Sequence, residues 1–166
     1  MTAAMSRTAG AIAVLRIFFG VVFFTNGLSK FVPAIAKFPG GYYLIDSDGA
    51  RSIIQADARH HPVGLYHSLV FDVFVPHWAV FGPLLAVAEI GAGVLLLLGL
   101  ASGLGALLAA VLSLHIQFAD ASGPWLFEYA VEWVPLLCLV FMRSGLTWGL
   151  DGRLAERSPR WKRVFG

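Results

Sequence analysis

The sequence predicts an all-α membrane protein, a four-transmembrane-helix bundle with a long extracytoplasmic segment between its first two spans. Composition is the first reason: of 166 residues, 58% are apolar and only 13% charged, with a mean hydropathy of +0.75. A soluble domain of this length exposes too much surface for so few charges to cover. The second is the presence of four apolar runs near the ~20 residues that cross a ~30 Å hydrocarbon core. The third is the placing of basic residues, which gather toward the ends of the chain.

The first run extends from about Ala9 to Leu28. It is longer than the apolar stretch of a cleaved leader, contains Arg16, and lacks a small-residue cleavage pattern near Thr25-Asn26-Gly27. It is therefore expected to stay as a signal anchor. The second run is Trp78–Leu100 and the third Gly103–Ala119. Their link, Ala101–Gly103, has room only for a tight turn between antiparallel helices. The fourth runs from Trp125 to about Trp148. Residues 1–151 then form the membrane domain and 152–166 a basic tail with Arg153, Arg157, Arg160, Lys162 and Arg163.

That tail and Arg7 predict cytoplasmic termini in a plasma-membrane protein that contacts anionic lipid, with segment 29–77 and the Asp120–Pro124 turn outside. In the outer segment, Gly40-Gly41 and Asp46-Ser47-Asp48-Gly49 are turn chemistry. Pro62–Val75 reads as a helix lying on the membrane surface, able to cap the outer mouth of the bundle. Trp78, Trp125, Trp148 and Trp161 suit interfacial anchors, and Arg143 snorkels to the interface. Small residues let helices approach inside lipid. Ala101, Gly105 and Ala109 on the third span, with Gly91, Gly93 and Gly99 on the second, predict a close pair of those two helices.

Five ionisable side chains fall inside the spans: Arg16, Glu89, His115, Glu128 and Glu132. Counting ~1.5 Å per residue from the cytoplasmic end puts Arg16 near ~10 Å, Glu89 near ~16 Å, His115 near ~18 Å and Glu132 at ~20–24 Å. An arginine side chain reaching ~6 Å would meet Glu89, so one group from each helix is expected in a single central slab. Glu128 and Glu132 share a helical face, Pro135 kinks the helix beside them, and Asn26 and Gln117 face the same interior. Charges in hydrocarbon need a partner or a wet cavity. One reading is a pocket that binds a quinone-like headgroup through Arg16, Asn26, Glu89 and His115, with Glu89, His115 and Glu132 handling protons. The other is a structural Arg16–Glu89 pair and a hydrogen-bonded His115 that set helix register.

Cys138 is the sole cysteine, which excludes an internal disulfide, a CxxC redox pair and a thiolate cluster. A dithiol quinone reductase is thereby excluded. No spacing supports a metal site, and His60, His61, His67 and His77 read as solvated loop histidines. No haem, flavin, iron–sulfur, nucleotide-loop or nucleic-acid motif is present, so electrons would have to come from a partner.

At these residues the chain resembles the DoxX family, and within it the DoxD-type small subunit of thiosulfate:quinone oxidoreductase. The resemblance rests on Leu15-Arg16 through Gly20 to Asn26-Gly27 and Lys30, and on Pro76-His77 with Ala88-Glu89-Ile90, Gly93 and Leu97-Leu98-Gly99. Trp148-Gly149-Leu150-Asp151 completes it. It implies a four-helix bundle tied to quinone-linked redox chemistry or to partner oxidoreductase subunits, with Arg16 and Glu89 as family positions. The functional expectation is a quinone-interacting membrane subunit of an oxidoreductase complex. The alternative is a non-catalytic accessory or assembly subunit, and a small-solute transporter is a weaker third, since no inverted repeat is visible.

Overall fold

A computed structural model describes residues 3–38, 42–120, 127–158 and 161. Its helices are α1 (Ala3–Phe31), α2 (Ser47–Arg59), α3 (Gly64–Ser68), α4 (Trp78–Leu98), α5 (Ser102–Ala119), α6 (Ala130–Phe141) and α7 (Leu150–Arg157). A π-helical turn, Leu69–Phe74, prolongs α3, and 3-10 turns occupy Pro33–Ile35 and Ser144–Leu146. The extended structure among the described residues is one antiparallel pair, β1 (Lys37–Phe38) with β2 (Tyr42–Tyr43). The expected Gly40-Gly41 turn and Trp125 lie outside the described residues.

α1, α4 and α5 are long and apolar enough to cross a membrane. α6 is apolar but has 12 residues, which at 1.5 Å each spans only ~18 Å. The apolar run expected to continue to Trp148 leaves the helix after Phe141. Arg143 (φ 47) and Trp148 (φ 53) take left-handed conformations, and the chain between them doubles back toward the α4–α5 turn. The turn carries Arg143, Ser144, Gly145 and Thr147, so hydropathy falls where the helix ends, while Met142, Leu146 and Trp148 prolong the apparent run.

The bundle's outer surface is apolar, as lipid requires. Val14, Phe18 and Val21 of α1, Val80, Leu84 and Val87 of α4, and Val111, Leu114 and Phe118 of α5 are exposed. The core pairs Phe19 and Phe23 of α1 with Ala92 and Leu96 of α4, Ala106, Ala109 and Ala110 of α5, and Leu136 and Leu139 of α6. Alanines at the centre let four helices meet around two phenylalanines.

The closest approach is not between the two helices expected. Gly105 does bring α5 onto α4, where a β-carbon would lie 2.8 Å from Leu95 Cβ. Gly93, however, faces α1: a β-carbon there would lie 2.7 Å from Phe24 Cα. Gly20 packs in the same way against Leu97, and Gly27 against Ala86 and Ile90. Gly91 has nothing within 4 Å.

The segment between α1 and α4 is more helical than turn chemistry predicts. Asp46 does not close a turn but caps α2, its Oδ1 accepting from Gly49 N at 2.7 Å. α2 is fastened along its N-terminal half: Trp78 Nε1 donates to Ser47 Oγ at 3.1 Å, and Arg51 Nη2 to Val75 O at 3.3 Å. α3 and its π turn pack on α2 and the end of α5 through Ala58, Tyr66, Val70 and Ala119.

The glycine contacts yield a paired prediction. Gly93→Ala forces a methyl group into the backbone of α1 and is expected to cost about 1–3 kcal/mol, seen as earlier thermal unfolding in detergent. Gly91→Ala is expected to leave the transition unchanged.

Candidate functional site

α1 continues through Phe31, past the expected end of the first span, and this extra turn builds the site. It carries Lys30 onto the helical face of Asn26, one turn earlier. Lys30 Nζ donates to Glu89 Oε2 at 2.7 Å and lies 3.3 Å from Asn26 O. The two side chains are 4% and 11% exposed, a buried ion pair between α1 and α4. Glu89 thus pairs with Lys30 and not, as depth counting suggests, with Arg16.

A cavity of about 490 Å³ surrounds this pair. Its walls are mostly apolar, drawn from α1, α2, α4, α5 and α6. The polar side chains that reach it include Asn26, Lys30, Asp57, Glu89, Ser113, His115, Tyr129 and Glu132. Asn26, Glu89, His115 and Glu132 are therefore brought together as the sequence suggests. Ser113 Oγ donates to Glu132 Oε2 at 3.0 Å, and Trp133 Nε1 donates to Gln117 Oε1, so two hydrogen bonds tie α5 to α6. Glu128 is exposed and precedes the first residue of α6, so it does not share a helical face with Glu132.

His115 sits at the cavity's rim, exposed by area, with Nε2 3.2 Å from Tyr66 OH. Burial pushes the Tyr66 phenol up to about 12, with Asp57 adding to the effect, so Tyr66 is a neutral hydroxyl throughout the physiological range. His61 stacks on it, ring centroids 4.6 Å apart. His61 Nδ1 accepts from Val63 N at 3.1 Å, which leaves Nε2–H to donate to Phe118 O at 2.9 Å. His61 is thus buried with both ring nitrogens hydrogen-bonded, and not solvated. Among the described residues no group of three or more His, Cys, Asp or Glu side chains is placed to hold a metal ion.

Arg16 lies at the other end of the bundle, beside the α4–α5 turn. It is fully buried, donates from Nη2 to Trp148 O at 3.2 Å, and packs against Gly99 and Gly149. Its opposite charge is Asp151. The buried Asp151 carboxylate accepts from Ala101 N at 2.7 Å and Ser102 N at 2.9 Å. It caps α5 from a distance, where the helix dipole favours an anion. Asp151 N donates to Gly99 O at 2.8 Å, and Trp161 Nε1 to Asp151 Oδ1 at 3.2 Å. Trp161 is thereby a partner of Asp151, and the tail residues Arg160, Lys162 and Arg163 lie outside the described residues.

The expected single polar slab is therefore two centres. Leu15-Arg16, Leu97-Leu98-Gly99 and Trp148-Gly149-Leu150-Asp151 meet at one. Gly27, Lys30, Glu89 and Gly93 lie along the α1–α4 contact that leads to the other. Sequence reasoning missed Asp57 and Tyr66, and singled out Lys30 and Asp151 only as parts of the family resemblance, without a role. The i, i+4 spacing of Asn26 and Lys30 was the available signal for Lys30; for Asp57 and Tyr66 there was none.

Apolar helices packed around a mostly apolar cavity with a few convergent polar groups define an integral membrane protein of the small helical-bundle class. The chain belongs to the DoxX family, whose model matches residues 11–120, from the first turns of α1 to the end of α5. Comparison with curated proteins and with solved structures gives no match.

Two predictions follow from the charges. Lys30→Met leaves Glu89 buried without its partner and is expected to cost about 3–5 kcal/mol, largely recovered in Lys30→Met/Glu89→Leu; thermal unfolding in detergent checks both. Asp57, on α2, has its carboxyl raised by burial and by Asp120. The folded chain then holds that proton more tightly than the unfolded one, so the associated stability is present at low pH and lost as pH rises through the raised value. Asp57→Asn should flatten the melting temperature profile just above the ordinary carboxylate range relative to the parent.

Proposed function

We propose that the chain is a quinone-interacting membrane subunit of an oxidoreductase complex, akin to the DoxD-type subunit, and that the Lys30–Glu89 cavity receives the headgroup. One observation carries this reading: apolar walls from five helices enclose a few convergent polar groups, in a volume of about 490 Å³. That combination is typical of small-molecule sites, which run from ~300 to ~1,000 Å³. Lys30 and His115 supply hydrogen-bond donors suited to carbonyl oxygens, and Asn26 lies beside them. A bound quinone supplies two-electron, two-proton chemistry.

The chain's own part is to bind, to exclude water and to hold protons. Glu89, His115 and Glu132 are the proton-holding groups at the cavity. Asp57, whose carboxyl is raised by burial, has no cationic partner among the described residues and is available to carry a proton. Arg16 is not a headgroup ligand in this reading; with Asp151 it positions the α4–α5 turn. The electron donor is a partner subunit, since the sequence carries no redox-centre motif. We further propose that residues 127–148, α6 included, make a fourth crossing of the plasma membrane and that both termini are cytoplasmic.

The test is quinone retention after purification in mild detergent. The parent protein is expected to carry quinone into the lipid extract, and Glu89→Gln and His115→Ala to lower its content at least about tenfold, ~1.4 kcal/mol of binding. Cys138→Ser, on the outer face of α6, is expected to retain it. Undiminished quinone in both cavity variants would reject the site and leave the accessory or assembly role.

A further inference from the structure

One polar cavity side chain also belongs to the outside of the bundle. His115 lines the cavity and also borders a shallow groove on α5 with Val111, Leu114 and Phe118. Those three are 54%, 48% and 49% exposed and recur at helical spacing, so they form one outward row. On a membrane helix such a row faces lipid. An imidazole beside it is costly unless polar partners reach it. Among the described residues it makes one hydrogen bond, between Nε2 and Tyr66 OH, and its Nδ1 remains for another.

The opposite approach to the cavity is covered. α2 contributes Ile53, Ile54 and Asp57 to the lining and is pinned by the Trp78–Ser47 and Arg51–Val75 hydrogen bonds. A molecule coming from water meets this cover; a molecule coming from lipid meets His115.

Resting on the cavity reading above, we infer that the ligand reaches the cavity sideways from the bilayer, past His115, and leaves its hydrocarbon tail in the α5 groove. The ligand class is then a lipid with a compact hydrogen-bonding headgroup and one long apolar chain, not a water-soluble solute. The groove does not act by removing the tail from water, since lipid already does that. It acts by shape, holding the chain so that the headgroup points past His115 toward Lys30.

The experiment uses the full chain in lipid nanodiscs and two benzoquinone probes with the same dimethoxy-methyl headgroup. One bears a decyl tail ending in a diazirine; the other has no tail. Photolysis of the tailed probe is expected to label the α5 peptide spanning Val111 and Phe118. Leu114→Trp, which fills the groove and leaves the cavity untouched, is expected to lower loading of the tailed probe at least about fivefold. Binding of the tail-less probe should stay within about twofold of the parent. Label on α1 or α2, or confined to a co-purified partner helix covering α5, would overturn the inference, as would equal effects of Leu114→Trp on both probes. Binding of the tail-less probe alone would remove the lipid route and keep the cavity. Binding of neither would remove both.

Discussion

A charged pair buried between two apolar helices admits few registers. An ammonium and a carboxylate taken out of water each cost several kcal/mol unless they meet. Lys30 and Glu89 do meet, at 2.7 Å, so α1 and α4 are held at the one axial offset that allows it. Reaching that distance needs close backbones, and Gly20, Gly27 and Gly93 provide them. The glycines and the ion pair are thus one device, in which small residues permit the approach and the charges select its register. The cavity opens beside this device because α5 meets α4 closely at Gly105, while nearer the ion pair α2 and Phe74 share the walls with it.

The other end of the bundle solves a different problem with the same materials. The turn between α4 and α5 leaves the first amides of α5 without helical partners. Asp151, from the far end of the chain, accepts from the first of them, Ser102 N, and from Ala101 N just before the helix, and Arg16 from α1 balances its charge. Three segments distant in sequence are fastened at a single carboxylate. The cost is local backbone strain, with Gly99, Ala101 and Trp148 all at positive φ around it. This centre holds the bundle's frame, which leaves the centre near Lys30 for ligand chemistry.

Much of the fold was legible because it follows from solvent. Apolar runs of membrane length stand out in any hydropathy reading, and α1, α4 and α5 lie where those runs predict. The grouping of Asn26, Glu89, His115 and Glu132 was legible too, since charged and polar side chains in lipid turn inward. The pairing was not. Depth counting ends the first span at Leu28, which leaves Lys30 outside it and makes Arg16 look like the partner of Glu89. Arg16 and Lys30 stand ~21 Å apart along α1 on nearly the same face, so the axial offset of α1 against α4 decides between them, and the glycines that face the neighbouring helix set that offset.

The sequence by itself determined that this chain is helical, belongs in a membrane, and holds ionisable groups in its interior, because those properties depend on local composition and on the cost of charge in hydrocarbon. Tertiary structure alone decided that the polar groups form two centres, that the helix Asp46 caps covers one of them, and that the chain turns back after the break at Arg143. Each of these turns on contacts between residues far apart in the chain. The break exists so that Asp151 can return to the amides of Ala101 and Ser102, and no window of residues 141–148 contains that reason.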